Sequence, residues 1–158
     1  MKTLFKIAVA ITFVAIIGAC KTPLGNTAQQ SNATQHTGSI IEKYWKLIEI
    51  NGKPVIMDES TGGRGAFIIL KDEGNRLTGS GGCNTLTGVY EIDQAANRIR
   101  FSQIATTLMA CLNMEIEEEL KRILEMVDNY SLSEDGKYLS LNRARMAPLA
   151  RFEVVYLR

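Results

Sequence analysis

The sequence predicts a mainly β protein in which an antiparallel sheet curls towards a barrel and carries one amphipathic α-helix. From Ile40 onward, short apolar segments alternate with turn residues, as is typical of antiparallel strands joined by tight turns. The alternation is interrupted once, over about residues 113–128, where apolar residues recur at helical spacing. The chain has 158 residues, of which 46% are hydrophobic, so it can form one ordinary domain with a core.

The start of the chain predicts export and attachment to lipid. Lys2 and Lys6 precede an apolar run that stops at Ile17-Gly18-Ala19-Cys20, the arrangement of a bacterial lipoprotein signal. We expect residues 1–19 to be a signal peptide and Cys20 to be acylated after cleavage. A transmembrane helix needs roughly 20 apolar residues, and this run is shorter.

Residues 20–39 are predicted to form a lipid-anchored, flexible tether that leads to a domain at residues 40–158. The tether is rich in Thr, Gln, Asn, Ser and Gly, and such a composition buries too little apolar surface to offset its ordering entropy. As a random coil it spans on the order of 25 Å. Lys21 follows the anchor in place of Asp, which by analogy with other lipoproteins favours the outer membrane, on its periplasmic or surface face. We expect the mature protein to be a monomer.

The predicted strands are separated by turn residues. Asn51-Gly52 and Asp135-Gly136 are hairpin-type turns, and Asp72-Glu73-Gly74-Asn75 closes the second strand. The strands are expected at residues 44–50, 66–71, 76–80, 88–92, 98–104, 130–133, 138–142 and 151–157.

The predicted helix begins at Asn113, whose side chain can cap its first turn. Acidic residues crowd its start, where the helix dipole favours anions. We interpret Glu117–Glu119 as part of a charged face exposed to solvent. The apolar positions expected to face the core are Ile116, Leu120, Ile123, Leu124 and Val127.

Two segments stand out: Gly79-Ser80-Gly81-Gly82-Cys83-Asn84 and Thr107-Leu108-Met109-Ala110-Cys111. The glycines predict a tight bend or bulge where one backbone approaches another closely. With Cys20 assigned to lipid, Cys83 and Cys111 remain in a compartment where disulfides persist. Linking them would close a loop of about 28 residues and stabilise the domain by roughly 3–4 kcal/mol. We favour this disulfide over the alternative of two buried free thiols.

The composition argues against several functions. The one histidine, His36, lies in the tether, so the domain cannot form a Ser-His-Asp or Cys-His catalytic group. The net charge of +1 gives no general attraction to nucleic acid. We expect no enzymatic activity, no cofactor and no metal. A Cu(I) site built from Cys83, Met109, Cys111 and Met114 is a disfavoured alternative, because no histidine is available and methionines commonly fill cores.

A set of landmarks follows a fixed order through residues 44–157. They are Trp45, Leu47, Asn51-Gly52, Gly79, Gly82, Cys83, Asn84, Gly88, Tyr90, Phe101, Thr107, Met109, Ala110 and Cys111, together with the acidic helix. In this order and spacing the chain resembles the META domain of the HslJ heat-shock lipoproteins. The resemblance implies a compact, barrel-like β domain with a helix, and an association with envelope stress and antibiotic tolerance. It supplies no established catalytic residues.

The expected function is therefore that of a non-enzymatic, lipid-anchored envelope protein that acts through binding or structural support. Its expected partners are the membrane and an envelope protein or a small ligand, but no nucleic acid. Two alternatives stay open. A curled sheet can enclose a small ligand, as in carrier proteins. The domain can also inhibit a lysozyme or protease from the cell surface, with the Gly-rich loop Met57–Gly65 as its projecting element.

Overall fold

The computed structural model describes residues 38–56, 65–111 and 114–156. A 3-10 turn lies at Glu73–Asn75, between the third and fourth strands. The strands are β1 (Tyr44–Ile50), β2 (Lys53–Pro54), β3 (Phe67–Lys71), β4 (Arg76–Ser80), β5 (Thr85–Asp93), β6 (Arg98–Thr106), β7 (Asn129–Leu132), β8 (Tyr138–Asn142) and β9 (Ala150–Val155), and the helix is α1 (Glu115–Met126).

The strands form one antiparallel sheet that closes on itself. Each long strand pairs with the next one along the chain, and β1 pairs with β9 from Tyr44–Val155 to Ile50–Ala150. The short β2 only prolongs the hairpin that leaves β1. Eight strands thus make a barrel, and the predicted fold class is confirmed. Among the described residues, every neighbouring pair of strands around the barrel shares an extended ladder except β6 and β7.

The interior of the barrel is filled by side chains. Trp45, Tyr90 and Phe152 are the largest fully buried ones, each at most 1% exposed. Alternation along β3 sends Ile68 and Leu70 inward, and both are 0% exposed. An eight-stranded barrel is just wide enough for its own side chains to fill, which matches this packing.

The helix lies across one end of the barrel. Its first turn contacts the β4–β5 loop, where Glu117 bonds to Asn84. Further along, Glu119 accepts a hydrogen bond from the Asn51 side chain in the β1–β2 turn, and Met126 meets Arg143 beyond β8. Leu120, Ile123 and Leu124 point into the core and are 0% exposed.

The helix covers a gap in the sheet. The pairing between β6 and β7 is limited to Arg98 and Asn129. β6 also contacts α1. Within the described residues, no helix combines the length and the apolar character that crossing a bilayer requires.

The helix is shorter than the sequence predicted, running over 115–126 instead of about 113–128. The predicted cap Asn113 lies outside the described residues, and Met114, which directly precedes the helix, makes no side-chain capping bond. The helix ends because Val127 is extended, with ψ of 147°. Of the predicted apolar face, Ile116 is only half-buried, whereas the other four positions are buried.

Several strands differ from the prediction at their ends. β5 begins at Thr85 instead of Gly88, because Thr85 and Leu86 pair with Ser80 and Gly79 of β4. β6 extends to Thr106, β7 and β9 each begin one residue early, and β2 was not predicted. The β5–β6 ladder is shifted between Thr87 and Val89. Gln103 there has a φ of 53°, the conformation of a β-bulge residue.

The hairpin turn after β1 is confirmed. Asn51 and Gly52 have φ values of 48° and 76°, and Ile50 pairs directly with Lys53. Positive φ at both central residues is what a type I′ turn requires, which is why Asn-Gly is a strong hairpin signal. This turn brings Asn51 within reach of the helix.

Candidate functional site

The β4–β5 loop, Gly81–Asn84, bends tightly where other groups come close. A Cβ atom on Gly79 would overlap the carbonyl oxygen of Phe67. One on Gly81 would lie 2.8 Å from the Cα of Glu117, closer than real Cβ atoms approach. Gly82 has a φ of 117°, which side chains rarely tolerate. The predicted bend with close backbone approach is therefore confirmed.

Asn84 is the centre of this site and is 0% exposed. Its Oδ1 accepts hydrogen bonds from Thr107 Oγ1 at 2.7 Å and from the Met109 backbone N–H at 2.8 Å. Its Nδ2 donates to the Met109 carbonyl at 3.2 Å and to Glu117 Oε1 at 2.8 Å. The side chain thus uses both donors and both acceptor positions that an amide offers.

Glu117 completes the site and is 4% exposed. Besides the bond to the Asn84 side chain, its Oε2 accepts the Asn84 backbone N–H at 2.7 Å. The carboxyl group therefore fills the concave side of the glycine loop. Placing Glu117 on a solvated face was wrong, because the first turn of α1 packs directly against Gly81. The spacing of Glu117 from Leu120 and Leu124, three and seven residues, is the signal that could have located it on the buried stripe.

The other predicted acidic residues of this turn do face outward. Glu118 is exposed, and Glu119 is partly exposed at the surface of the helix. A hydrogen bond from Arg122, and a further one from Asn51, hold the pKa of Glu119 below its ordinary value. The charged-face interpretation therefore holds for these two residues and fails for Glu117 alone.

Cys83 and Cys111 form a disulfide, with their Cα atoms 6.3 Å apart. The predicted bond is confirmed, and the alternative of two buried free thiols is wrong. The bond joins the β4–β5 loop to the segment after β6, which Asn84 also binds through Thr107 and Met109. The two loops are thus linked both covalently and by a buried amide.

The disulfide also bears on the copper alternative, because it consumes the two thiolates that such a site would use. Within residues 38–56, 65–111 and 114–156, no three His, Cys, Asp or Glu side chains lie together as a metal site. The sulfur of Met114 is half-buried at the start of the helix.

The segment after β6 ends in an exposed apolar tip, formed by Leu108 and Met109. Leu108 is 98% exposed and Met109 is 56% exposed. On either side, the backbone N–H groups of Thr107 and Met109 are bonded to Thr85 and Asn84. The tip is therefore presented in one fixed position by the linked loops.

Three of the remaining landmark residues, Trp45, Tyr90 and Gly88, have structural roles in the barrel. Trp45 donates its indole N–H to the Ile40 carbonyl at 2.8 Å, which holds the entry to β1 against the core. Tyr90 donates its hydroxyl to the Lys71 carbonyl at 3.0 Å, and burial raises the pKa of Tyr90. Gly88 lies opposite the bulge, where a Cβ would come 2.7 Å from the Ile104 side chain. Ala110 is exposed beside the tip.

A surface groove with a volume of about 500 Å³ lies between the β1–β2 hairpin and α1. Its lining includes the apolar residues Ile50, Val55 and Ile116 and the charged residues Lys53 and Glu119. It is open to solvent and separate from the filled barrel interior.

Three predicted features lie outside the described residues. They are the signal peptide with the acylation site Cys20, the tether as far as residue 37, which includes His36, and residues 57–64 of the Gly-rich loop proposed for an inhibitor. They remain predictions.

Comparison with known proteins gives a family match and two similar folds. Residues 38–156 match the model of the META domain family. A protein from Burkholderia xenovorans, solved by NMR, is 18% identical and superposes with a TM-score of 0.58 over 73% of this chain and 83% of its own. A second protein solved by NMR is 20% identical, with a TM-score of 0.56 over 73% of this chain and 91% of its own. At this identity the two structures show the fold alone. A search of curated protein sequences found no significant match.

Proposed function

This chain belongs to the META domain family, and on that premise we propose that it is a lipid-anchored protein of the cell envelope that acts by binding and not by catalysis. The observation that carries the proposal is the linkage of Asn84, Glu117 and Thr107. Asn84 and Thr107 lie in the two linked loops and Glu117 lies in α1, and the three side chains bond to one another and to the backbone. The hydrogen bonds hold the β4–β5 loop and the segment after β6 in a fixed shape, and the exposed tip of that segment remains available for contact.

The envelope location is supported by two independent features. The start of the chain has the pattern of a lipoprotein signal that ends at Cys20. The domain carries the Cys83–Cys111 bond, and disulfides persist in compartments outside the cytosol. On this reading the anchor is the lipid on Cys20, and the outer membrane is the expected destination.

The non-enzymatic part of the proposal is supported by the hydrogen bonds of Glu117 and Glu119. A general base needs a free oxygen or nitrogen within reach of a substrate. Both carboxyl oxygens of Glu117 accept hydrogen bonds from Asn84. Glu119 bonds to Arg122 and Asn51. The sequence has one histidine, and it lies in the predicted tether.

A small-ligand binding protein is the second candidate, and the groove beside α1 is the observation that favours it. Its volume of about 500 Å³ lies within the range of small-molecule sites. The filled barrel interior argues against the alternative of a ligand carried inside, since Trp45, Tyr90 and Phe152 occupy it. The inhibitor alternative depends on residues 57–64 and receives no support from the described residues.

The test of the proposal is fractionation of cells that produce the full chain or its Cys20→Ser variant, followed by intact-mass measurement. We expect the unsubstituted protein in the membrane fraction with the mass of residues 20–158 plus acyl groups. The Cys20→Ser chain should lack that added mass, whereas a Cys83→Ser control should keep it. An unacylated native protein in the cytoplasm would contradict the proposal. In-cell crosslinking of the anchored protein would then identify its partner.

A second experiment addresses the implied role in envelope stress. Cells without the protein should lose tolerance to heat or to antibiotics that act on the envelope, and the full chain should restore it. The Cys20→Ser variant should restore less, because it cannot carry the lipid. Unchanged tolerance in the deletion strain would argue against a stress role and would leave the anchor itself untouched.

A further inference from the structure

We propose that the apolar tip, Leu108 and Met109, with the uncharged outer face of the sheet beside it, is the surface by which the domain rests on the neutral part of the lipid bilayer. The inference rests on the proposed lipid anchor. It goes further by assigning the part of the domain that faces the bilayer and the chemistry that it contacts.

The first argument is exposure combined with a fixed position. Single exposed apolar residues are common, but here two neighbours project together, with Leu108 98% exposed. The Cys83–Cys111 bond and the amide of Asn84 hold the loop that carries them. A surface held in its binding conformation loses little conformational entropy when it binds.

The second argument is the absence of charge in the sequence around the tip. Residues 77–90 and 101–114 contain no Asp, Glu, Lys, Arg or His. These stretches contribute the ends of β4, β5 and β6 that lie nearest the tip, whereas the charged residues of the same ladders, such as Arg76, Glu91 and Arg100, lie further away along the strands. Moving a charge into lipid carries a large desolvation cost, which these two stretches avoid. The acidic residues of α1 begin directly after them, at Glu115, and would stay on the water side of the contact. The outward side chains of one row across the sheet are Tyr44, Ile69, Thr78, Thr87 and Ala105.

The third argument concerns the backbone. Peptide groups that leave water for lipid need internal partners, since the bilayer core offers none. The Thr107 N–H donates to the Thr85 carbonyl at 3.1 Å, and the Met109 N–H donates to Asn84. The Met109 carbonyl accepts from the Asn84 side chain. Three backbone groups beside Leu108 therefore already have hydrogen-bond partners within the protein, as partial burial in lipid requires.

The residue types favour lipid over a protein partner. Energetically dominant residues at protein interfaces are enriched in Trp, Tyr and Arg, whereas Leu and Thr are under-represented. Residues 101–114 contain no Trp, Tyr or Arg. Leu is among the residues that interfacial membrane segments bury at the headgroup boundary.

The tether is long enough for the anchor and the tip to reach the same bilayer. The domain begins at Ile40, four residues before Tyr44, and Tyr44 shares a row with Ala105 of β6, three residues before Leu108. That row crosses four strand spacings, about 19 Å. The residues from Ile40 to Tyr44 and from Ala105 to Leu108 add at most about 25 Å. Fully extended, the predicted tether of residues 20–39 would reach about 65 Å, which exceeds the combined distance. Tethering raises the local concentration of lipid, so that weak contact by the tip is sufficient.

The test places a fluorescent reporter at the tip of the full-length, acylated protein. The variant is Leu108→Trp, and Ala96→Trp in the exposed β5–β6 turn, at the opposite end of β6, is the matched control. Each protein is reconstituted in vesicles of phosphatidylcholine with brominated acyl chains. The signal of the buried Trp45 is measured in the unsubstituted protein and subtracted.

We expect the Leu108→Trp emission to fall about twofold, because its ring would lie roughly 5–10 Å into the headgroup boundary, and the Ala96→Trp emission to stay nearly unchanged. Equal quenching of both variants, or none at Leu108→Trp in an acylated protein, would overturn the docking surface and leave the anchor intact. Quenching that instead appears at Met146→Trp, between the basic Arg143–Arg145 turn and β9, would also overturn it. A chain without acyl mass would refute the anchor itself, on which the inference depends.

Discussion

Glu117 bonds to Asn84 twice, once through the backbone N–H and once through the side-chain amide, and this pair joins the helix to the glycine loop. The geometry requires an oxygen at both positions of the Glu117 side chain. It also requires a bare glycine at position 81, where the helix backbone comes closest. The buried pair of Glu117 and Asn84 thus accounts for the residue types at positions 81, 84 and 117.

Glu117→Gln should lower the free energy of unfolding by about 1–3 kcal/mol, although the two side chains have the same shape. A glutamine amide must place an N–H₂ group against one of the two Asn84 donors, so one donor loses its acceptor. Glu118→Gln is the matched control on the exposed face of the same turn, and it should change the value by no more than about 0.5 kcal/mol. Urea denaturation of both variants measures the difference, and equal effects would contradict the assigned role of Glu117.

Gly81→Ala should destabilise the domain by about 1–3 kcal/mol or more, because the new Cβ would lie within van der Waals radii of Glu117. Gly65→Ala is the control, since a Cβ there meets nothing within 4 Å. Thermal unfolding followed by circular dichroism compares the two. A Gly81→Ala protein as stable as Gly65→Ala would show that the helix does not pack against this loop.

Removal of the disulfide, by the double substitution Cys83→Ala with Cys111→Ala, should cost roughly 3–4 kcal/mol of stability in the chain-entropy model. The measurement is guanidinium denaturation of the variant against the unreduced protein. Reduction of the unsubstituted protein is the control and should give a similar loss. If alkylation of the unreduced, folded domain labels two thiols, the bond is absent and this prediction fails.

Acid should destabilise the domain partly through Asp128. The backbone N–H of Ala144, followed by the Asn129 side chain and the charges of Arg98 and Arg143, lowers the pKa of this carboxyl from its ordinary value of 3.8. The folded state therefore binds this proton less readily than the unfolded state. The stabilisation is present above pH 3.8 and is lost as the pH falls from there through the lower folded pKa.

Asp128→Asn should make the loss of stability below pH 3.8 less steep, and urea denaturation across this range measures the slope. The exposed Glu134→Gln is a control of the same charge change in another turn. Hydrogen bonds lower the pKa of Glu42, Glu119 and Asp135 as well, so Asp128→Asn should reduce the acid dependence without abolishing it. An unchanged slope would contradict the contribution of Asp128.

Local sequence signals located most of the fold because they report on neighbours in the chain. The alternation of apolar and polar residues gave the strands, and Asn51-Gly52 gave a turn in which both residues have positive φ. The ends of the strands were less well placed. Thr85 belongs to β5 because Ser80 of β4 pairs with it, and that pairing depends on where the other strand lies.

The candidate site was predicted in part. The glycine run and Cys83 with Cys111 were singled out, and the structure brings them together. Glu117 was assigned to solvent because a carboxyl group among other carboxyl groups at the start of a helix is ordinarily exposed. Its partner, Asn84, is 33 residues away in the chain, and no local pattern encodes such a contact.

The amino-acid sequence alone determined the β-rich fold class, the existence of one helix, and the choice of Cys83 and Cys111 as a candidate disulfide. Each of these depends on periodicity, turn chemistry or composition. Only the folded chain decided that an acidic side chain is buried against the glycine loop and that Leu108 projects into solvent. Both outcomes depend on which face of an element meets a distant partner when the barrel closes. That information resides in contacts between strands and helix and not in any short stretch of sequence.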